Sequence, residues 1–379
     1  MAYQIPLSFP VFSGKENLYT QEAISSGHIA TYGRFINKFE SKLTNRLKTH
    51  ESVVLNSGTS ALHLGMVLLG IGPGDEVICQ SFTFCASANP IVYLGANPIF
   101  VDSEKESWNI CPEILEDTIL SRISKGKKPK AIVVVHLFGM PAKMKEILEI
   151  SNKYNIPVLE DAAEAIGSKY QGKYCGTFGQ IGVFSFNGNK IITAGGGGAL
   201  ISNDISFIQR AKHLSTQARE DLPFYHHLEI GYNYKMNNLS AAVGLAQLEQ
   251  LDNYVKIRRE INHRYRELLG DFPGIEFQTE TSESMSNYWL TTILVDKEKT
   301  GFSNEQLSKA FLEKGIECRF LWKPLHTQPV YNMTPYYGGN MAERLFEKGL
   351  CLPSSVNLTL QDQEMIVGVI HRELSKTFR

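Results

Sequence analysis

Ala131-Ile132-Val133-Val134-Val135, then the helical pattern from Met144 to Tyr154, then Pro157-Val158-Leu159-Glu160-Asp161, is the stretch that decides the fold. The two outer runs are short, apolar and rich in β-branched residues, which is how a strand buried on both faces reads. A helix between two such strands makes them parallel neighbours in one sheet, covered by helices on both sides. Working outward, the same alternation continues upstream. Val53 to Leu55 reads as a strand, Ala61 to Leu69 as a helix stopped by Gly70-Ile71-Gly72-Pro73-Gly74-Asp75, and Glu76 to Cys79 as a strand. A helix near Ser87 to Leu94 and a strand from Pro98 to Asp102 follow. The expectation is an α/β protein with a mostly parallel central sheet, and on such sheets ligands sit at the carboxyl ends of the strands.

After Asn238 the pattern changes. Leu239, Val243, Leu245, Leu248, Leu251, Val255, Ile261, Tyr265 and Leu268 recur at helical spacing and predict one long helix, bent along its length, ending near Gly270. An alternating strand from Tyr288 to Val295, a helix near Glu305 to Lys314 and a last helix from Leu360 complete a smaller α/β unit. The expected division is a large domain over residues 1–250 and a small one over 251–379, with the N-terminal segment placed to pack on the small domain. With 379 residues, 43% hydrophobic and 20% charged, the composition is that of a soluble globular protein. A net charge of -1 argues against a nucleic-acid partner. The first residues lack a signal-peptide pattern, and no apolar run is long enough to span a membrane. Six scattered cysteines without a CxxC fit reduced thiols in a cytoplasm, not disulfides or a metal site.

Five segments carry chemistry. Asn56-Ser57-Gly58-Thr59-Ser60-Ala61-Leu62 joins a strand to a helix, where small residues and free N–H groups suit a phosphate and the Thr59 and Ser60 hydroxyls can add to it. Alone, the segment reads first as a helix cap built on Ser57 or Thr59. Ser81-Phe82-Thr83-Phe84 puts Phe84 at a strand's end, where it can lie on a heteroaromatic ring or simply fill the core. In Val158-Leu159-Glu160-Asp161-Ala162-Ala163-Glu164 a carboxylate stands at the end of a central strand, costly there unless paired. Val183-Phe184-Ser185-Phe186-Asn187-Gly188-Asn189-Lys190 leads on to Gly195-Gly196-Gly197-Gly198. A lysine between an apolar strand and a glycine run can lose its proton and condense with an aldehyde. The last segment, Gly231-Tyr232-Asn233-Tyr234-Lys235, is by itself only a polar, aromatic loop.

GTSAL, SFTF, EDAAEA, SFNGNK with GGGG, and GYNYK, in this order, resemble the DegT/DnrJ/StrS family of pyridoxal-phosphate (PLP) dependent sugar aminotransferases. EDAAEAIGS, FSFNGNKIIT, STQARE and RFLWKPLH are most similar to its PglE/LegC-like branch of C4 aminotransferases. The resemblance implies the aspartate-aminotransferase-like fold (PLP fold type I), with the large domain binding PLP, and a homodimer with shared active sites. It implies Lys190 as the Schiff-base lysine, Asp161 at the pyridine nitrogen, Phe84 stacked on the ring, and Gly58, Thr59, Ser60 and Ser185 at the phosphate. Asn233 would reach the phosphate from the other subunit, and Glu164 would face the phenolic oxygen. Arg319, Lys323 and His326 would line the substrate side, and no metal is implied. The implied reaction moves an amino group from L-glutamate to C4 of a nucleotide-linked 4-keto-6-deoxy sugar bearing a 2-acetamido group. The route would lead to bacillosamine-like, legionaminic-acid-like or related surface glycans.

Two positions depart from the commonest family pattern. Many members have His or Gln where this chain has Glu164, and Lys235 replaces a common Arg. Alternative readings are a perosamine-synthase-like enzyme acting on a sugar without the acetamido group, or a catalytically silent regulatory relative. The family's dehydratases need a histidine at the lysine position, so Lys190 argues against that activity. Cysteine desulfuration would need a cysteine on a mobile loop, and no segment marks one.

Overall fold

The computed structural model describes residues 3–49 and 51–377. Seven strands and a short edge pair form the central sheet. They are β1 (Glu51–Leu55), β2 (Glu76–Gln80), β3 (Asn97–Val101), β4 (Ala131–Val135), β5 (Val158–Asp161), β6 (Ile181–Ser185) and β7 (Gly198–Ser202). Their order across the sheet is β1-β7-β6-β5-β4-β2-β3, and Tyr336–Tyr337 closes the β3 edge. Every pair from β6 across to that edge is parallel, while β7 runs antiparallel to both β6 and β1. All five residues of β4 are buried, as the unbroken apolar run requires. The predicted helix appears as Met144–Tyr154, packs Ile147 and Ile150 inward, and ends where Asn155 turns left-handed at φ 50.

The second half differs from the sequence reading in two places. In place of one bent helix there are two, Asn238–Leu248 and Leu251–Leu269, separated at Glu249-Gln250. Their apolar residues keep helical spacing across the break, which is why periodicity alone merges them. The strand expected from Tyr288 begins only at Thr291, because Tyr288 adopts a left-handed φ of 45 that no strand accommodates. Thr291–Val295 then pairs antiparallel with Ile275–Phe277 and Gly349–Leu352, and Arg319–Phe320 adds the far edge of this smaller sheet.

Contacts tie the N-terminal segment to the smaller sheet's surroundings, and these surroundings to the central sheet. Ile5, near the start of the chain, packs with Ile316, Phe311 and Ile366. Asp102, just past β3, accepts the backbone N–H groups of Gly339, Met341 and Ala342 and so caps the helix Met341–Lys348. Among the described residues, no helix is long and apolar enough to cross a membrane, and no group of three or more His, Cys, Asp or Glu is placed to hold a metal ion. All six cysteines are free thiols.

Candidate active site at the carboxyl ends of the central strands

A cavity of about 390 Å³ opens where β1, β4, β5 and β6 end. Strand β5 delivers Asp161 to its floor. This carboxylate is 4% exposed and accepts hydrogen bonds from Ser87 Oγ (2.6 Å) and the Ala163 N–H (3.1 Å). Burial pushes its pKa above the ordinary value, partly opposed by those two donors and by the Lys190 charge. Three residues on, Glu164 is equally enclosed. Its Oε2 accepts the Phe138 N–H (2.7 Å) and its Oε1 lies 3.5 Å from Lys190 Nζ. Burial raises its pKa as well, and Lys190 counters the rise.

Strand β6 runs through Ser185 into the turn that carries Lys190. The lysine side chain is 13% exposed, with Nζ held between Glu164 and the face of Trp289, 4.0 Å from the ring centroid. Two bulky residues with left-handed backbones shape these flanks, Phe138 (φ 55) beside Glu164 and Tyr288 (φ 45) before Trp289. Such geometry costs on the order of 1–3 kcal/mol per residue and persists only where surrounding contacts enforce it. Here Asn287 ties both flanks together. Its Nδ2 donates to the Glu164 carbonyl, and its Oδ1 accepts the Trp289 N–H.

At the opposite end, Ser57 caps the helix Gly58–Leu68, its Oγ accepting the Ser60 N–H (3.0 Å) and pairing with Ser60 Oγ (2.8 Å). Gly58 is needed for close packing, since a Cβ there would stand 3.0 Å from Ser185 Cβ. Gly198 is needed for the same reason, because its Cβ would come within 2.6 Å of the Gly58 nitrogen. The first-turn N–H groups and nearby hydroxyls form an anion seat.

The structure brings Gly58, Thr59, Phe84, Asp161, Glu164, Ser185 and Lys190 to this one cavity. Phe84 is half exposed at its mouth, tilted against Trp322 at 5.2 Å. The Ser60 hydroxyl turns instead to Ser57, which lines the cavity itself. Asn233 is exposed and lies outside the lining of its own chain's cavity. Lys235 is engaged elsewhere, its Nζ 2.5 Å from Glu40 Oε1. Arg319 faces an adjoining cavity of about 510 Å³ that shares Asn189, Trp289 and Trp322 with the first. Lys323 is exposed and lines neither. His326 is not in the lining either. Its Nδ1 meets Ser81 Oγ at 2.6 Å, its Nε2 meets Glu343 Oε1 at 3.0 Å, and its ring stacks on Tyr336 at 3.7 Å. Sequence reading missed Trp289, Trp322, Ser87 and Asn189. Trp322 carried a signal, as the aromatic of RFLWKPLH, and Asn189 stood in the segment just before Lys190, but Trp289 and Ser87 are placed by long-range packing.

The donor set fits PLP. An anion seat stands at one end, a buried carboxylate can pair with a protonated pyridine nitrogen, and a lysine amine can meet an aldehyde.

The chain matches the DegT/DnrJ/EryC1/StrS aminotransferase family over residues 12–371, and it belongs to that family. It is 46% identical over 374 residues to EpsN of Bacillus subtilis (strain 168), whose name describes a pyridoxal phosphate-dependent aminotransferase; the match covers 98% of this chain and 96% of EpsN. It is 41% identical to GDP-perosamine synthase of Escherichia coli O157:H7, over 94% of each chain. The crystal structure of a family aminotransferase from Brucella abortus superposes with a TM-score of 0.89 at 30% identity, over 95% of both chains. The protein is a PLP-dependent sugar aminotransferase of the aspartate-aminotransferase-like fold.

Proposed function

With membership of that family as the premise, we propose that the enzyme moves an amino group from L-glutamate to C4 of a nucleotide-linked 4-keto-6-deoxy sugar bearing a 2-acetamido group. The observation that carries the chemistry is Lys190 Nζ, enclosed between Glu164 and Trp289 in the cavity floored by Asp161. When bound, PLP supplies an aldehyde for amine exchange and a ring that takes up the electron pair left by a departing proton. The first-turn N–H groups at Gly58 and Thr59, with Ser57 and Ser185, would hold its phosphate. Asp161 would keep the pyridine nitrogen protonated, and Phe84 would lie against the ring. Once displaced, Lys190 Nζ would be placed to take the proton from the carbon bearing the amine and to return it to the cofactor's aldehyde carbon, across the intervening nitrogen. Glu164 keeps the amine close by, and the buried walls exclude water.

A second copy of the chain completes the site in this reading. Leu222, Phe224, Tyr225, Leu228 and Ile230 form an exposed apolar loop just before Asn233, suited to a subunit contact that delivers Asn233 to the partner's phosphate seat. The 41% identity to a GDP-perosamine synthase favours, as a second reading, a sugar without the acetamido group.

The test is a turnover panel of UDP- and GDP-linked 4-keto sugars, with and without the 2-acetamido group, supplied with glutamate and read by mass spectrometry. Transfer to the acetamido sugars is expected, and exclusive transfer to a sugar lacking that group would select the second reading. Lys190→Ala should lose both the visible absorbance of the PLP-loaded protein and all transfer. Normal turnover in that variant would overturn the assignment of the lysine.

A further inference from the structure

Arg258, on the helix Leu251–Leu269, is 2% exposed, and among the described residues no carboxylate pairs with it. Its Nε has no hydrogen-bond partner. Burial alone pushes its pKa down to about 9. An uncompensated buried cation costs several kcal/mol, so a packing role is a poor explanation when leucine or methionine would fill the same space.

The partners Arg258 does have point to one place. One terminal nitrogen donates to the Trp289 carbonyl and the other to Ser8 Oγ (3.0 Å). Ser8 Oγ in turn donates to the Asn189 carbonyl (2.7 Å), and the Trp289 indole Nε1–H donates to that same carbonyl (2.7 Å). The hydrogen bonds therefore close a ring, from Arg258 through Ser8 to Asn189, on to Trp289 and back to Arg258. It joins the N-terminal segment, the helix Leu251–Leu269, the connector before the strand Thr291–Val295 and the peptide immediately preceding Lys190. The Trp289 indole held by this ring is the face that lies 4.0 Å from Lys190 Nζ. The left-handed backbone of Tyr288 is a second, independent sign that Trp289 is forced into place.

We propose that Arg258 is a positioning residue for Lys190: through Ser8 and Trp289 it fixes the Asn189 carbonyl and the indole face against which the lysine amine rests. The inference rests on the reading of Lys190 as the cofactor lysine. Its physical content is that a donor buried away from the cavity sets where the amine waits when it is not bonded to anything. A guanidinium is suited to this, since its planar fork serves two fixed acceptors at once.

The test uses the cofactor-free protein, so that its failure and the failure of the lysine's assignment are separable. Lys190 is methylated with formaldehyde and cyanoborohydride, and its rate is followed by peptide mass spectrometry against exposed Lys105 in the same sample. Arg258→Met, by losing a charge-assisted hydrogen bond, and Trp289→Leu, by losing the ring face on the amine, should each speed Lys190 modification about tenfold. The double variant should be no faster than either single one, because both break the same ring. Ser8→Ala, a milder change in a half-buried residue, should move the rate in the same direction by about threefold. An unchanged Lys190 rate in a folded Arg258→Met protein, or fully additive effects in the double variant, would reduce Arg258 to a core residue. If Arg258→Met does not fold, Ser8→Ala decides, and an unaltered rate there overturns the proposal.

Discussion

The cleft around Lys190 has two walls built by different means. One is made of strand ends and the turns that follow them: Ser57 to Thr59 after β1, Asp161 to Glu164 after β5, and Ser185 to Lys190 after β6. Each piece is a short segment whose geometry is fixed within a few residues, by a cap, a strand end or a tight turn. The other wall is Trp289, held by its neighbour Asn287 and, from distant parts of the chain, by Arg258 with Ser8, together with Trp322, which lies against Phe84 and Phe138. The first wall supplies the charges, and the second supplies position. Substitutions should therefore separate along this line, with lost chemistry at the first wall and lost stability or placement at contacts of the second kind.

After the complete loss expected at Lys190, the largest effect is at Asp161. Asp161→Asn should lower turnover about a thousandfold, since a neutral amide cannot hold a proton on the ring nitrogen. The melting temperature of the cofactor-free protein should hardly move, because burial already disfavours the charged carboxylate there. Steady-state kinetics beside calorimetry without cofactor checks both halves. A melting temperature that fell in step with turnover would break the comparison.

Next in size is Asp102, which joins the two parts of the molecule without touching the cavity. It accepts three N–H groups at the start of the helix Met341–Lys348 and is 1% exposed. Asp102→Ala should cost about 2 kcal/mol in denaturant unfolding, the upper end for a lost cap. Turnover well below the melting range should be kept within about threefold, a change worth less than 1 kcal/mol. A large loss of turnover with intact stability would mean that this contact, too, belongs to the chemistry.

The same division explains what could be read from the sequence. β4 was legible because five consecutive apolar residues leave no other reading, and the helix Met144–Tyr154 because its apolar spacing is regular. Lys190, Asp161 and Gly58 stood out because a residue type expensive or unusual in its local setting announces itself in a few letters. Trp289 did not. It sits in an alternating run that reads as strand, and only the left-handed backbone at Tyr288 lifts it out of that pattern. Arg258 was hidden for a similar reason. Its spacing, three residues after Val255 and three before Ile261, puts it on the buried stripe of the helix, but a cation is ordinarily read as facing water. His326 is a different case. Its motif suggested a substrate group, while the structure uses both ring nitrogens to tie Ser81 to Glu343.

The smallest effect expected is a slope in pH, and it tests whether Glu164 truly belongs to the first wall. Its folded pKa is raised by burial above the unfolded value. Between those two values the folded protein holds a proton that the unfolded chain has lost, so stability is full below the unfolded pKa and falls as pH climbs through the window. A tenfold displacement in proton affinity is worth about 1.4 kcal/mol. Asp161, raised by the same cause, adds a slope of the same sign. Glu164→Gln should therefore flatten the decline in stability of the cofactor-free protein from about pH 4 upward without abolishing it. Denaturant unfolding at several pH values measures this directly. If the variant keeps the full slope, Glu164 is already ionised in the fold, with Lys190 as its counter-ion. The carboxylate at 3.5 Å would then act on the lysine as a fixed charge and not as a proton reservoir.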